Sequence, residues 1–472
     1  MSDLADLTLV DAAAAIATKK ASAGEVLTAC LANLDAHEKA VNATTWIDRE
    51  GAFASAAAAD AALAAGAKPG PLHGLPLAHK DMYYQAGRLA SCGSKIRGDF
   101  RPDYTATVIS RMADAGAYAF AGLNMAEFAM NGTGHNQHFG HCHNPWRLPY
   151  ITGGSSSGSG AAVAARFTYA ALGSDTGGSI RLPAAANGVS GIKPTQTRIS
   201  RYGVMPLSFS ADNVGPLART ARDCARILTV IAGQDPHDPT SAAVPVPDYE
   251  AGLDGDLRGI KIGVPTAYFL ETADAPVVAA FEASMAALAG RGATIVPLTL
   301  PLMPEILAYA AVMSRCESGA IHSNWMRERA GDYGIHINSR LYASLAIPAV
   351  TYVEALGRRG PILATFAKDV FSHVHAIASP TISICLPTLA ATDIDAGDPK
   401  AVDVASGVSG NTRPFNYLGL PALSVPCGFD PNGLPISLQL ATKPFDEATA
   451  FKIGDAYQRD TDWHARRPTF AN

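Results

Sequence analysis

The chain has 472 residues, of which 48% are hydrophobic and 17% are charged, and its formal net charge at pH 7 is −5. This composition is typical of a folded protein with a large core and excludes a disordered chain. No block of like charges stands out, so we expect no nucleic-acid partner and no binding to an anionic membrane, because both need a basic patch.

Residues 1–65 are predicted to form an N-terminal helical segment. Ser22 and Glu25 have the spacing of a capping box at a helix start. The apolar residues of the following helix face are Val26, Leu27, Cys30, Leu31 and Leu34. Between residues 71 and 235, short apolar runs alternate with glycine-marked turns and alanine-rich stretches, which indicates the strands and helices of an α/β unit.

Residues 234–258 are rich in Pro, Asp and Gly and are predicted to be a long surface connection. The segment 259–375 begins with a predicted βαβ unit, made of the strand GIKIGVP, a helix with one apolar face and the strand GATIVPLTLP. That helix face consists of Val277, Phe281, Met285 and Leu288. Helices are predicted for most of the remainder up to 375, and residues 376–472 add further strands, in AIASPTISICLP and PALSVPCGF, together with helices.

Two loops rich in glycine and serine carry the main functional signal, GGSSSGSG at 153–160 and GSDTGGSIR at 173–181. Composition alone favours turns or flexible linkers, but each loop leads directly into a predicted helix. A phosphate-binding loop is not supported, because neither loop has the GK[ST] of a P-loop and Val163 stands where the dinucleotide fingerprint needs Gly or Ala. The stretch GSSSG at 154–158 also fits the GxSxG elbow of α/β-hydrolases, with Ser156 as the nucleophile.

A fourth interpretation explains both loops together. Ser179 follows two glycines and precedes a predicted helix, where backbone N–H groups are free. The N–H groups from Thr176 through Gly177 and Gly178 to Ser179 could hold the oxyanion of a tetrahedral intermediate. A serine nucleophile in this loop would still need a base from elsewhere in the chain.

The sequence blocks that contain these loops resemble those of the amidase signature family. The blocks are HGLPLAHKDM (73–82), GGSSSGSGAAVAA (153–165) and GSDTGGSIRLPAAANGVSGIKPT (173–195), and further matching blocks extend to GLPISLQL at 433–440. The resemblance implies one α/β/α sandwich over residues 1–472, with a central mixed, twisted β-sheet and helices on both faces. It also implies that residues 71–235 form the core that carries the catalytic residues and that residues 376–472 complete the sheet.

By this resemblance Ser179 is the nucleophile, Ser155 relays protons from a cis peptide bond with Gly154, and Lys80 is the ultimate base. A lysine can act as a base only when it is neutral, and burial can lower its pKa from about 10.4 towards neutrality. Glycines would then permit the loop conformation, and the serines would carry the protons.

Four further positions bear on the resemblance. Asp175 and Arg181 match the supporting polar network of the family. Ser157 departs from it, because a glycine is usual there, and His79 departs because an apolar residue is usual before the lysine. If residues 77–81 are extended, His79 points to the opposite face of the strand from Lys80, and it is predicted to be a packed histidine.

The segment HNQHFGHCH at 135–143 gathers four histidines and one cysteine, and in isolation it suggests a zinc site. The resemblance implies no metal and no cofactor, and it implies that specificity depends on two variable segments, 125–143 and 303–375. The candidate substrate-binding residues in these segments are Met130, His135, His138, Met313 and Trp325. For Met313 and Trp325, the alternative to substrate binding is packing between helices.

The first ten residues lack the features of a secretory signal, and no apolar run reaches membrane-spanning length. The seven cysteines are scattered without CxxC spacing, as expected of reduced thiols. We therefore predict a cytoplasmic protein whose partner is a small-molecule amide and which does not bind a membrane. The apolar helix faces are expected to pack either in a homodimer interface or in the core of a single chain.

The leading hypothesis is an amidase that hydrolyses the carbon–nitrogen bond of a linear amide through an acyl-enzyme on Ser179. Its substrate would be a small primary amide, anilide, hydrazide or carbamate. One alternative is the glutaminase component of a glutamyl-tRNA amidotransferase, and another is an esterase-type hydrolase, since esters acylate the same serine. A catalytically inactive scaffold is disfavoured because all three catalytic positions are present.

Overall fold

A central β-sheet organises the computed structural model, which describes residues 4–471. The strands in this part of the chain are β1 (Thr44–Ile47), β2 (Pro76–Lys80), β3 (Tyr118–Leu123), β4 (Ala170–Asp175), β5 (Ser190–Lys193), β6 (Asn213–Ala218), β7 (Lys261–Pro265), β8 (Thr294–Leu298), β9 (Ala376–Pro380), β10 (Ala422–Phe429) and β11 (Pro435–Thr442). They form one sheet in the order β1-β3-β2-β4-β6-β5-β10-β11-β9-β7-β8.

Helices flank this sheet. They are α1 (Leu9–Ala17), α2 (Ala23–Val41), α3 (Arg49–Ala64), α4 (Thr107–Asp114), α5 (Ser157–Ala164), α6 (Arg181–Asn187), α7 (Ala221–Ile231), α8 (Ala275–Gly290), α9 (Met303–Glu328), α10 (Ile335–Ser344), α11 (Ala349–Phe371), α12 (Pro399–Val408), α13 (Arg413–Tyr417) and α14 (Glu447–Gln458). No helix within residues 4–471 combines the length and the apolar character needed to cross a membrane.

The strand pairing makes the sheet mixed. Strand β2 runs parallel to β3 and β4, and β7 runs parallel to β8 and β9, while the other neighbours are antiparallel. Parallel neighbours need a crossover connection, which helices provide here. The predicted α/β class with a large mixed sheet between helices is confirmed.

Several predicted elements are present at the expected places. Ser22 caps α2 through the predicted box: its N–H donates to the Glu25 carboxylate (2.8 Å), and its hydroxyl accepts from the Glu25 N–H (3.1 Å). The βαβ unit is also present, with β7 and β8 parallel and all four predicted apolar residues of α8 buried. Residues 1–65, for which only helices are predicted, also contain strand β1. The sequence does not reveal this strand, because four residues are too few to show a clear alternation of apolar and polar side chains.

The site is positioned by β2 and β4, which are parallel neighbours in the interior of the sheet. Their carboxyl ends therefore lie at the same edge, which is where open α/β sheets bind ligands. Helix α5 starts very close to β4. A Cβ added to Gly173 of β4 would lie only 2.9 Å from the hydroxyl of Ser156, the residue before the helix. The glycine in this strand allows the serine-rich loop to approach the strand end.

Candidate active site

Lys80 lies at the carboxyl end of β2 and is fully buried. Its Nζ donates hydrogen bonds to the hydroxyls of Ser155 (2.7 Å) and Ser174 (2.8 Å). Burial lowers the pKa of Lys80 to about 7, although the negative charges of Asp212 and Asp175 act in the opposite direction. The amine is therefore close to neutral at physiological pH and can accept a proton.

His79 precedes this lysine on β2 and points away from it. Its ring contacts Trp46 and Tyr83 edge-on, and its Nε2 lies 3.2 Å from the Gln85 side-chain oxygen. The histidine is 1% exposed, and burial lowers its pKa. His79 is a packed residue, as the alternation along the strand predicted.

Ser155 follows a cis peptide bond, Gly154–Ser155, and is fully buried. A Cβ on Gly154 would lie 2.7 Å from the Asn131 carbonyl oxygen and from the Gly134 nitrogen, so only glycine fits in this loop. Ser156 is also fully buried, and its hydroxyl accepts a hydrogen bond from the N–H of Ser174 (3.3 Å). A hydroxyl held against β4 cannot act as the exposed nucleophile of a GxSxG elbow.

Ser179 lies just before α6 and lines a cavity of about 120 Å³. The residue is 8% exposed, and its hydroxyl makes no hydrogen bond to any other group within residues 4–471. Catalytic hydrogen bonds in enzymes without ligand are often long and shorten in the substrate complex. A carbonyl carbon in this cavity would have access to the Ser179 oxygen.

The backbone around Ser179 differs from the prediction at one residue. The N–H of Gly178 donates to the Asp175 carboxylate (2.8 Å), so it is not available to an oxyanion. The N–H groups of Thr176, Gly177 and Ser179 donate to no group in the described part of the chain. The donor set is therefore smaller than predicted, because Asp175 uses one of its members.

Asp175 and Arg181 form a fully buried ion pair beside Ser179. The guanidinium donates twice to the carboxylate, each time at 2.9 Å, and the Asn416 amide donates to it at 2.7 Å. Burial by itself would raise the pKa of Asp175, but the charge and hydrogen bonds of Arg181 lower it to about 2. This pair holds the loop that carries Ser179.

Two predicted substrate contacts, His135 and His138, do not line the Ser179 cavity. The His135 ring lies between the Thr133 hydroxyl (2.9 Å) and the Leu389 carbonyl oxygen (3.0 Å), and burial lowers its pKa to about 4. The His138 ring is 3.0 Å from the buried Glu127 carboxylate. Both histidines satisfy neighbouring polar groups within the protein instead.

Met313 and Trp325 also fail to reach the cavity, whereas Met130 lines it. Met313 is 1% exposed in a core cluster, and Trp325 stacks on Phe128 with ring centroids 5.5 Å apart. Their positions on the long helix α9 turn both side chains into packing contacts, which was the alternative interpretation for these two residues.

The histidine-rich segment does not assemble a metal site in this structure. Within residues 4–471, no group of three or more His, Cys, Asp and Glu side chains is arranged to hold a metal ion. His141 accepts a hydrogen bond from the Asn136 N–H (3.1 Å), and the His143 ring lies 2.9 Å from the Leu148 carbonyl oxygen. Cys142 is buried in the core.

The structure reveals polar groups at the site that sequence reasoning missed. Ser174 contacts the lysine amine from β4, and three arginines line the Ser179 cavity: Arg315, Arg340 and Arg413. They come from α9, α10 and α13, which are far apart in sequence, so no local motif could identify them. The only sequence signal was that the variable segment 303–375 carries two of them.

A larger cavity, of about 370 Å³, is lined in part by Ser174. Asp212 and Met205 line it, but Ser179 does not. The smaller cavity is the candidate substrate site, because it contains the exposed part of Ser179 and three free backbone N–H donors, those of Thr176, Gly177 and Ser179.

Comparison with known proteins shows a close likeness over the whole length. The chain is 40% identical, over 494 residues and all of both sequences, to one of the subunits of glutamyl-tRNA(Gln) amidotransferase from Chloroflexus aggregans. A solved structure from a vestigial protein complex linked to the origins of an s-triazine catabolic enzyme is 31% identical, with a TM-score of 0.89 over 96% of this chain and 98% of that chain. The peptide amidase of Stenotrophomonas maltophilia is 29% identical, with a TM-score of 0.84 over 98% of both chains.

These relatives correct the prediction about partners. The sequence predicts a small-molecule amide substrate, no nucleic acid and no membrane, with a homodimer as an alternative for the apolar helices. The Chloroflexus relative is named as one component of an enzyme that acts on a tRNA. The prediction was therefore wrong to exclude nucleic acid, because one component can contribute to such an enzyme without a basic patch of its own.

The family assignment rests on sequence and fold together. The family model described as Amidase matches residues 25–451, which covers the sheet strands from β1 to β11 and all the blocks quoted above. The solved relatives share the same large mixed sheet flanked by helices. The chain is a member of the amidase family, the family of enzymes with the amidase signature.

Proposed function

We propose that this chain hydrolyses a carboxylic amide through a covalent acyl-enzyme on Ser179. The observation that carries the proposal is the buried Lys80, whose amine donates to the Ser155 hydroxyl at 2.7 Å and whose pKa is lowered to about 7 by burial. A serine nucleophile needs such a base, and no histidine of residues 4–471 lines the Ser179 cavity.

The first half of the reaction forms the acyl-enzyme. The Ser179 oxygen attacks the amide carbon while its proton moves to the Ser155 hydroxyl, which passes its own proton to Lys80. The free N–H groups near Ser179 stabilise the negative oxygen of the tetrahedral intermediate. The carbon–nitrogen bond then breaks, and the departing nitrogen receives the proton back from the relay.

The second half releases the acid. A water molecule attacks the acyl carbon and gives one proton to the same relay, and the ester bond to Ser179 breaks. The serine recovers its proton, so the sum of both halves is an amide and water converted to a carboxylic acid and ammonia or an amine. The seven cysteines are scattered along the chain without CxxC spacing, and this pattern favours the cytoplasm as the compartment of the reaction.

The names of the relatives favour a second, more specific candidate. In a glutamyl-tRNA(Gln) amidotransferase, the amide would be glutamine, and the released ammonia would be used on a tRNA-bound substrate in association with other subunits. The supporting observation is 40% identity over the full length of the Chloroflexus relative. Glutaminase activity and copurification with a second protein chain would distinguish this candidate from a free-standing amidase.

The proposal is tested with a panel of glutamine, an aliphatic amide, benzamide, an aryl hydrazide and a p-nitrophenyl ester. We expect turnover of at least one amide or hydrazide. Loss of the base or nucleophile removes general-base and covalent catalysis, so Ser179→Ala and Lys80→Met should each lower kcat by at least about 10²- to 10⁴-fold. The ester reports whether the same serine also has esterase activity.

Ser157→Ala is the matched control, because this serine is two residues from Ser155 and donates only to the Asn124 carbonyl oxygen at 3.3 Å. The control should retain most of the activity. Amide turnover that survives both Ser179→Ala and Lys80→Met would show that the chemistry takes place elsewhere, and the proposal would then be abandoned.

A further inference from the structure

The Ser179 cavity has an unusual charge distribution. Three arginines line it: Arg315 from α9, Arg340 from α10 and Arg413 from the start of α13. The other polar residues of the lining are uncharged, and no Asp or Glu of residues 4–471 belongs to it. A site of this composition carries a strong positive potential.

The positive charges are not neutralised by the protein. None of the three guanidinium groups forms an ion pair with a carboxylate in the described part of the chain. Arg340 donates to the Met130 carbonyl oxygen (3.2 Å), but its buried Nε has no partner there, and Arg413 donates to the Ser409 hydroxyl (2.7 Å). Burial lowers the pKa of Arg340 to about 10, and repulsion from the positive charges of Arg413 and Arg315 acts in the same direction.

We infer that this cavity binds an amide whose acyl part carries a free carboxylate and no ammonium group, such as the monoamide of a small dicarboxylic acid. Guanidinium groups pair with carboxylates through two parallel hydrogen bonds, which would also satisfy the unpartnered Nε of Arg340. An ammonium group on the substrate would instead meet three like charges and no acidic partner.

The size of the cavity agrees with a small substrate. Its volume of about 120 Å³ is well below the roughly 300–1,000 Å³ that is usual for drug-sized ligands. The inference rests on the proposed function, because it assigns the carboxylate end of a substrate whose amide end reacts with Ser179. The products would be the dicarboxylate and ammonia.

Three amides of equal chain length separate the charge effects. Pentanamide is neutral, glutaramate replaces its terminal methyl group with a carboxylate, and glutamine adds an α-ammonium group to glutaramate. We expect kcat/KM for glutaramate to exceed that for pentanamide by about 10- to 100-fold, as for a hydrogen bond to a charged group, and to exceed that for glutamine. Succinamate with butyramide repeats the comparison at a shorter length.

Arginine variants assign the effect to the cavity. Arg340→Gln should lower kcat/KM for glutaramate by about 10- to 100-fold, mainly through KM, and should lower kcat/KM for pentanamide by a much smaller factor. Arg315→Gln gives a second test, because this guanidinium makes no hydrogen bond to described residues, so its loss should not affect folding. Arg327→Gln, exposed on the same helix α9, is the matched control and should behave like the wild type.

Binding is measured separately from turnover in the Ser179→Ala variant. Glutaramate and the product glutarate should raise its Tm, since a ligand that binds only the folded state stabilises it. The shift should disappear when Arg340→Gln is added and persist when Arg327→Gln is added. Pentanamide should give no comparable shift in any of these proteins.

The outcomes distinguish this inference from the proposed function. Equal kcat/KM for glutaramate and pentanamide, and for succinamate and butyramide, would overturn the inference and leave serine-dependent hydrolysis intact. A preference for glutamine over glutaramate would also overturn it and would support the glutaminase candidate. If the wild type hydrolyses no amide, the proposed function fails, whereas an arginine-dependent Tm shift would still support the anion site.

Discussion

Lys80 lies in surroundings that are unusual for a lysine. It is 0% exposed, and its amine contacts two serine hydroxyls rather than a carboxylate. Burial disfavours the charged form, so the pKa falls to about 7. The same residue type at the surface would stay protonated and could not act as a base.

This pKa predicts the pH dependence of the reaction. Because only neutral Lys80 accepts a proton, kcat/KM should rise with pH through about 7 and then level off. The charge of Asp212 raises the pKa of Lys80, so Asp212→Asn should move the rising limb to lower pH. The measurement is kcat/KM for one amide from pH 5 to 9 in both proteins.

The exposed Asp114 supplies a control for this experiment, because it lies at the end of α4 away from the site. Asp114→Asn should leave the pH profile unchanged. An Asp212→Asn profile that overlays the wild type would mean that the rising limb belongs to a group other than Lys80.

At the scale of elements, helix α5 packs unusually close to its neighbours. All of its residues are buried, and Gly158 donates its N–H to the Asn124 carbonyl oxygen at 2.8 Å. A Cβ on this glycine would lie 2.6 Å from the Asn124 nitrogen and would also meet the Ala43 carbonyl oxygen. These are backbone atoms, so the contact cannot relax by a side-chain rotation.

Gly158→Ala should therefore destabilise the protein by about 1–3 kcal/mol, as overpacked core positions do. Gly357→Ala on the exposed face of α11 is the matched control, since nothing lies within 4 Å of a Cβ there. It should stabilise the protein by about 0.5–1 kcal/mol, because alanine is the better helix former. Denaturant unfolding of both variants measures the difference, and equal effects would contradict the packing described for α5.

At the scale of the whole molecule, Arg181 joins parts of the chain that are distant in sequence. It pairs with Asp175 at the end of β4 and donates to the Thr412 carbonyl oxygen (2.9 Å) and to the Gln439 side-chain oxygen of β11 (2.8 Å). The arginine and the aspartate are both 0% exposed. The N-terminal and C-terminal halves of the sheet are thus connected by one fully hydrogen-bonded side chain.

Arg181→Met should lower the free energy of unfolding by about 3–5 kcal/mol, because it leaves the Asp175 charge buried without its partner. Arg258→Met removes an ion pair with Asp256 from a side chain that is 83% exposed, and it should cost less than about 1 kcal/mol. Thermal or denaturant unfolding at pH 7 compares the two. Similar small losses would show that the buried pair does not connect the two halves.

The pH dependence of this loss follows from the pKa of Asp175. The folded pKa of about 2 lies below the ordinary value of 3.8, so the pair stabilises the protein fully above pH 3.8 and less as the pH falls towards 2. The difference in the free energy of unfolding between wild type and Arg181→Met should therefore shrink as the pH falls from 3.8 towards 2.

Local patterns in the sequence were sufficient to predict many of the helices and strands and to single out the two Gly/Ser loops of the candidate site. The capping box at Ser22, each strand and helix of the βαβ unit, and the Gly/Ser loops show patterns within a single turn, element or loop, and such short-range signals are readable in one chain. The family blocks then indicated Lys80, Ser155 and Ser179 together. A four-residue strand such as β1 carried too short a pattern to be recognised.

The composition of the substrate cavity was decided only by the tertiary structure. Arg315, Arg340 and Arg413 come from three helices that are brought together by direct packing of α10 and α13 against α9, so their convergence has no local signature. The Gly178 N–H is lost to Asp175, only three residues earlier, but the carboxylate is also held by Arg181 and by the distant Asn416. Residue types and short-range order follow from local chemistry, whereas the distances that make a site follow from long-range packing.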